Sequence, residues 1–288
     1  MSHLRQFEYV EARSVDEALC ALASFEDARL VGGGTVVVPT MKLRLIQPDA
    51  LVSLRGVEDL SAVEPDGERI RIGAMVTHHR LARSDLVRSR VPMLAAACGR
   101  VASPTIRRMG TLGGNVCYGE SASDPAPVLL ALGAEMTVRG PTGERTISAH
   151  DFYVGYYETA LERGEILTSV AVPSMSANAK WRYWKWSPRA HEDKPLVGLA
   201  VCLEMQEGSC RTARLAVGGV EQTPVLLEAA ASALEGKDLT PEVVREAVDA
   251  AMSAIDPMED FQASAAYRRE MVGVWVRRVL TGLAWEAA

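Results

Sequence analysis

The sequence predicts an α+β protein of more than one domain that closes in an antiparallel sheet with helices. Three observations carry this. Two glycine-rich runs, Gly32-Gly33-Gly34 and Gly113-Gly114, stand among apolar segments in the first half of the chain. The composition shifts near Pro173-Ser174-Met175-Ser176-Ala177-Asn178, and beyond it Trp181-Arg182-Tyr183-Trp184-Lys185-Trp186 alternates faces at the strand period. Finally, 288 residues with 48% apolar content supply cores for two domains or three small ones.

In chain order, Phe7-Glu8-Tyr9-Val10 reads as a short strand, and Ser14 with Glu17 three residues later is a capping-box start for a helix with Ala18, Leu19 and Leu22 on its apolar stripe. Apolar residues, Gly32-Gly33-Gly34, Thr35 and a second apolar segment up to Lys42 read as a strand, a loop of backbone donors, and a helix or strand. Ala50-Leu51-Val52-Ser53-Leu54 is strand-like, Gly67 marks a turn, and Arg69-Ile70-Arg71-Ile72 alternates as a strand. Thr77 opens a helix expected to run past Leu86-Val87, and Val91 to Cys98 has a buried-helix pattern. Pro125 to Leu132 predicts a helix, and Ala134 to Val138 a strand. After the composition shift, strands are expected over Leu196 to Leu203 and Thr212 to Val217. Thr240-Pro241-Glu242 begins a helix, and another covers Ser264 to about Leu283.

A net charge of -6 without a Lys/Arg run argues against nucleic acid as a partner. No apolar segment approaches a membrane span and the N-terminus has no apolar signal core, so a cytoplasmic protein is expected. Cys20, Cys98, Cys117, Cys202 and Cys210 are dispersed without a C-x-x-C, which reads as reduced structural thiols rather than a metal or iron–sulfur site. Catalytic triads, paired glycosidase carboxylates and metalloprotease motifs are absent from the sequence, so the chemistry is expected to come from a cofactor.

Gly113 and Gly114 can take φ > 0 and turn their N–H groups towards an anion, with Thr111 and Asn115 as side-chain donors and Arg107 and Arg108 alongside. Alone, such a pair is more often a turn followed by an Asp124 N-cap. The second run, Gly32-Gly33-Gly34-Thr35, changes that balance. It is neither a Walker A loop, for lack of a following Lys-Ser or Lys-Thr, nor a dinucleotide fingerprint with spaced glycines. Two separate loops with threonines suit a diphosphate gripped from two sides. His78 and His79 point about a hundred degrees apart on a helix, and a surface or supporting role is expected, although a histidine can bond a nearby phosphate. The tryptophan-rich segment suits sheet packing, a flavin stack or a partner face, and Arg189 to Lys194 reads as a charged loop between strands.

Gly32-Gly33-Gly34-Thr35 with Met41-Lys42-Leu43-Arg44, then Ile106-Arg107 with Gly110-Thr111-Leu112-Gly113-Gly114-Asn115, then Asp124-Pro125-Ala126-Pro127, resemble the FAD-binding medium subunit of molybdenum hydroxylases, the group of carbon monoxide dehydrogenase and xanthine dehydrogenase. The resemblance continues through Gly164-Glu165-Ile166-Leu167, Ala216-Val217-Gly218-Gly219-Val220 and Ser264-Ala265-Ala266-Tyr267-Arg268-Arg269, and so covers essentially the whole chain. It implies a PCMH-type fold: an FAD-binding subdomain over 1–55, a second over 56–173, and a C-terminal sheet-plus-helices domain over 174–288. It further implies that Gly32, Gly33, Gly34 and Thr35 bind the FAD diphosphate from one side and Thr111, Gly113, Gly114 and Asn115 from the other. Asp124 would hold ribityl or adenosine hydroxyls, Val101 and Ala102 would line the ring pocket, and Leu167 would lie against flavin or adenine. The loop holding Asp193-Lys194-Pro195 would lie near the isoalloxazine, although many members carry Asp-Phe-Ala there.

The resemblance implies an electron-transfer subunit with no catalytic side chain of its own. Its partners would be a molybdopterin-binding large subunit and a 2Fe-2S small subunit, and the electrons would leave to NAD+, a quinone, oxygen or another acceptor. The alternatives are a self-sufficient FAD-dependent reductase or oxidase, with Cys117 or Tyr118 as proton donor, and a nucleotide-binding assembly subunit.

Overall fold

The computed structural model describes residues 4–190 and 192–285. In the first unit β1 (Glu8–Glu11), α1 (Val15–Ala23), β2 (Ala28–Val31), α2 (Val37–Lys42) and β3 (Ala50–Ser53) form a three-stranded parallel sheet in the order β1-β3-β2. Parallel neighbours need crossovers, which α1 and the α2 segment supply. Ser14 caps α1 as its pattern predicts, its Oγ accepting from Glu17 N at 3.1 Å. The return bond shifts by one residue, because Glu17 Oε2 accepts from Arg13 N at 2.8 Å.

The second unit contains β4 (Val63–Asp66), β5 (Arg69–Gly73), α3 (His78–Arg83), α4 (Asp85–Arg90), α5 (Pro92–Arg100), α6 (Pro104–Met109), α7 (Leu112–Cys117) and α8 (Pro125–Ala131). It continues through β6 (Glu135–Gly140), β7 (Gly143–Ser148), α9 (Ala149–Phe152), β8 (Tyr153–Gly155), β9 (Glu158–Thr159) and β10 (Ile166–Pro173). The last of these strands completes the middle of an antiparallel sheet ordered β4-β5-β10-β6-β7. The single helix expected from Thr77 past Val87 is two. Ser84 leaves the helical region (φ -66, ψ 123), ends α3 and caps α4 by accepting from Val87 N. A serine offering its own side chain to the backbone favours such a break over helix continuation.

The third unit is the meander and helix set read from the sequence. It comprises β11 (Ala179–Trp186), β12 (Val197–Gln206), β13 (Ser209–Gly218), β14 (Val225–Leu226), α10 (Glu228–Leu234), β15 (Lys237–Asp238), α11 (Pro241–Ser253) and α12 (Ala265–Trp285). β12 is buried on both faces from Val197 to Leu203. Leu199, Val201 and Leu203 join the core beneath α11 and α12, while Ala200 and Cys202 join the core of the second unit. The alternation of β11 sorts its aromatic residues in the same way. Trp184 stacks on Trp275 of α12 at 4.7 Å between centroids, and Tyr183 faces the second unit. Sheet packing, not a cofactor stack, therefore accounts for Trp184 and Trp186. Among the described residues no helix is long and apolar enough to cross a membrane.

Candidate functional site

The three units meet around a cavity of about 620 Å³, within the roughly 300–1,000 Å³ of small-molecule clefts. All twelve residues that the family resemblance assigns to FAD lie on it: Gly32, Gly33, Gly34, Thr35, Val101, Ala102, Thr111, Gly113, Gly114, Asn115, Asp124 and Leu167, whereas Arg107 and Arg108 do not. The two glycine loops are in direct contact. A Cβ on Gly33 would stand 1.8 Å from the Met109 carbonyl oxygen, and one on Gly32 would meet Thr111 Oγ1 at 3.1 Å. Absence of a side chain is what lets the loops approach.

The first loop leaves β2 at Val31, turns at Gly34 with φ +69 and enters α2. The N–H groups of Gly33, Gly34, Thr35 and Val36 have no hydrogen-bond partner among the described residues. Clustered free backbone donors of this kind suit an anion.

The second loop differs from its expectation. Gly113 and Gly114 do not take positive φ but form the first turn of α7, capped by Thr111. Its backbone donors are already engaged: Leu112 N–H bonds Val76 O at 2.9 Å, Gly113 N–H bonds Ala74 O at 2.9 Å, and Gly114 N–H bonds Thr111 Oγ1 at 3.1 Å. The turn after β5, thirty-odd residues earlier in the chain, claims two of them, a long-range contact that the local pattern does not announce. Gly113 is also required for packing, since its Cβ would lie 2.5 Å from that of Ala74. What this loop can offer a ligand is side-chain donors. The Thr111 hydroxyl retains its proton, and Asn115 accepts from Ser123 Oγ at 2.5 Å through Oδ1, which leaves its amide nitrogen for another acceptor.

Arg107 does not line the cavity. Its guanidinium donates to Val101 O at 2.8 Å and Ala102 O at 2.5 Å, and so clamps a turn in which Ala102 has φ +38. Left-handed backbone at a residue with a Cβ is strained and persists where surrounding bonds impose it.

Asp124 lies at the start of α8 without capping it. Its carboxylate accepts from Tyr183 Oη at 2.7 Å and from Lys185 Nζ at 3.0 Å, and it is 5% exposed. Burial pushes its carboxyl pKa up, and the Lys185 ammonium and Tyr183 hydroxyl pull it back. Both partners sit two residues apart on one face of β11, a spacing readable in the alternating sequence. Their meeting with Asp124 was not.

A second polar group lines the cavity at the loop after β11. Lys194 and Tyr157 both bond Glu120, Tyr157 Oη at 2.6 Å, and the Lys194 ammonium lies 5.9 Å and 5.7 Å from the centroids of Tyr118 and Tyr157. Glu120, Tyr157 and Lys194 were not singled out as a set, because nothing in their spacing links them. Asp193 also lines the cavity, whereas His191 lies outside the described residues. His78, for which a surface or a supporting role is expected, is 2% exposed and lines the cavity, which fits the supporting one. Burial, with the nearby Arg107 cation, lowers its pKa from 6.5 to about 4, so the ring is neutral near pH 7. The thiol of Cys117, a candidate proton donor for a self-sufficient enzyme, is pushed by burial up to about 12. Among the described residues no group of three His, Cys, Asp or Glu could hold a metal.

These residues fit a phosphate-bearing dinucleotide: unpartnered backbone donors at one loop, hydroxyl and amide donors at the other, and apolar side chains in the lining, among them Val101, Ile166 and Leu167. Comparison with known proteins gives the same direction. Residues 5–175 match the model of the FAD binding domain in molybdopterin dehydrogenase, and residues 182–283 that of the CO dehydrogenase flavoprotein C-terminal domain. The chain is 34% identical over 281 residues to the carbon monoxide dehydrogenase medium chain of Hydrogenophaga pseudoflava, covering 97% of both. It is 35% identical to the nicotine 6-hydroxylase medium subunit of Paenarthrobacter nicotinovorans, covering 96% of this chain and 97% of the relative. It superposes with a TM-score of 0.94 and 36% identity, over 98% of each chain, on a solved Hydrogenophaga pseudoflava carbon monoxide dehydrogenase that lacks the Mo-pyranopterin moiety of its molybdenum cofactor.

Proposed function

The chain belongs to the family of FAD-binding medium subunits of molybdopterin dehydrogenases, and from that membership we propose that it carries FAD in the loop-lined cavity and serves as the electron-transfer subunit of a molybdenum hydroxylase complex. A molybdopterin-binding large subunit hydroxylates the substrate, a 2Fe-2S small subunit relays the electrons, and an external acceptor such as NAD+, a quinone or oxygen takes them from this chain. Relatives named for carbon monoxide and for nicotine share its full length, which fits a subunit that does not choose the substrate. The complex is cytoplasmic. Residues 1–55 and 56–173 act as the two FAD-binding subdomains, with 174–288 closing the cavity from the third side.

The observation that carries this reading is the contact of Gly33 with the Met109–Gly110 backbone, which fuses two loops into one anion-facing wall. The bound flavin supplies the redox chemistry. The residues of this chain supply binding and electrostatics. Gly33, Gly34 and Thr35 donate to the diphosphate from one side, Thr111 and Asn115 from the other, and Gly32, Gly113 and Gly114 keep that approach open. Val101, Ala102 and Leu167 exclude water around the ring. Asp124, neutralised by Lys185, contributes a hydrogen-bonding edge rather than a free carboxylate.

Expression of the chain together with its neighbouring reading frames tests the proposal. The expected result is stoichiometric FAD and copurification with a molybdenum-containing chain and an iron–sulfur chain. A protein that neither retains nor takes up FAD, and that associates with no such chains, would overturn it.

A further inference from the structure

His78 lines the cavity and is left unused by the binding roles above. It enters at the start of α3, where Thr77 caps the helix and pairs with Thr111 as an isolated bridge, so the ring is tied to the second glycine loop. The His78 N–H bonds Gly110 O at 3.1 Å. A Cβ on Gly110 would touch His78 Cδ2 at 3.3 Å and Thr35 Oγ1 at 3.6 Å. The imidazole edge and the first loop's hydroxyl therefore flank one point where the two loops join.

The two ring nitrogens are not equivalent. Nδ1 is sealed from solvent with no hydrogen-bond partner, whereas Nε2, adjacent to Cδ2, is not among the sealed atoms. A neutral imidazole carries one N–H. Orphaned buried N–H groups are rarer than under-satisfied acceptors, which places the proton on Nε2 and leaves Nδ1 as a bare lone pair. An N–H at the loop junction, on the side of the Thr35 hydroxyl, is one more donor for the same anion.

We propose that His78 is a ligand-binding residue, its Nε2–H donating to the diphosphate of the bound dinucleotide where the two glycine loops meet. This rests on the assignment of the cavity to FAD and adds to it a specific donor from α3. A hydrogen bond to a charged group contributes about 1.5–3 kcal/mol, so removing the donor weakens a diphosphate-bearing ligand by roughly 10- to 100-fold.

The test compares FAD, ADP and riboflavin binding to the flavin-free full-length protein by titration calorimetry and fluorescence, at a pH where His78 is neutral. Circular dichroism confirms the fold of each variant. His78→Gln, whose amide nitrogen reproduces the position of Nε2, should bind FAD and ADP within a few-fold of wild type. His78→Asn, which reproduces only the Nδ1 position, and His78→Phe should lose roughly 10- to 100-fold for both. Riboflavin, which has no diphosphate, should bind all four proteins alike, and the Nε2–H resonance of His78 should shift with ADP but not with riboflavin. Equal losses in Gln and Asn variants, parallel loss of riboflavin, or unchanged ADP affinity in His78→Phe would overturn the proposal. A wild-type protein that binds none of the three ligands would instead overturn the cavity assignment on which it rests.

Discussion

Lys185 and Asp124 form an ion pair enclosed by protein, Nζ to Oδ2 at 3.0 Å, with side chains only 2% and 6% exposed. Lys185 comes from β11 of the third unit and also donates to Arg100 O at 3.0 Å, while Asp124 opens α8 of the second. Tyr183 supplies a further hydrogen bond to the same carboxylate. One strand thereby fixes both the C-terminal end of α5 and the start of α8, the two edges of the cavity on this side.

Breaking such a pair leaves a buried charge without compensation, which costs about 3–5 kcal/mol, whereas replacing both members by apolar groups can be nearly neutral. Lys185→Met should therefore destabilise the protein by about that amount in urea unfolding, and adding Asp124→Asn should restore much of the loss. A single-variant loss below about 1 kcal/mol, the range of exposed pairs, would show that water or a rearrangement reaches Asp124.

The glycines should divide by what their missing side chain meets. Gly33→Ala and Gly113→Ala drive a Cβ into the Met109 carbonyl and into Ala74, both fixed parts of the fold. Each should lower the melting temperature whether or not ligand is present. Gly114 is exposed, and its Cβ would meet only Thr111 Oγ1, at 3.0 Å. Gly114→Val should leave a folded protein that has lost FAD, because its branched side chain stands where the diphosphate approaches. Full flavin occupancy in Gly114→Val, as read from absorbance, would remove this residue from the site.

The same contrast shows how far the sequence carries. The strands, the caps at Ser14 and Thr240, and the shared destination of the two loops follow from local pattern and motif order. The reason for each glycine does not, because Gly113 answers to Ala74 and Gly33 to Met109, residues distant in the chain. The placement of Arg107 and His78 is hidden for a related reason. A charge beside a glycine motif reads as a phosphate ligand, and a histidine at a helix start as either surface or support, and only tertiary packing turns the first towards the Val101 and Ala102 carbonyls and buries the second. The pair of Asp124 with Lys185, sixty-one residues apart, had no signal beyond the strand alternation that put Tyr183 and Lys185 on one face.

Arg107 offers a prediction opposite in kind to that for His78. Its bonds hold Ala102 at φ +38 next to Val101, both on the cavity lining. Arg107→Leu, which loses both carbonyl contacts, should release that turn and weaken riboflavin and FAD binding measurably while ADP affinity holds. Loss of ADP affinity with riboflavin unaffected would return Arg107 to the phosphate role suggested by its place in the sequence.

The depressed pKa of His78 makes the ligand-free fold sensitive to mild acid. In the unfolded chain the imidazole binds a proton near pH 6.5, while in the folded protein burial and Arg107 hold the pKa at about 4. Between those values the unfolded state binds more protons, so stability falls as pH falls. The contribution is intact above pH 6.5, is lost progressively below it and is exhausted near pH 4. A displacement of that size is worth about 3 kcal/mol. The carboxylates of Glu135, Glu165 and Asp151, whose pKa values are lowered by their partners, lose their contributions in a lower window, below their ordinary values. Denaturant unfolding of wild type and His78→Gln at steps between pH 7.5 and 4 separates the two. The difference in stability between the two proteins should shift by about 3 kcal/mol in favour of the variant across this interval, with most of the change between pH 6.5 and 4. A difference independent of pH would mean that the imidazole is already solvated in the folded state.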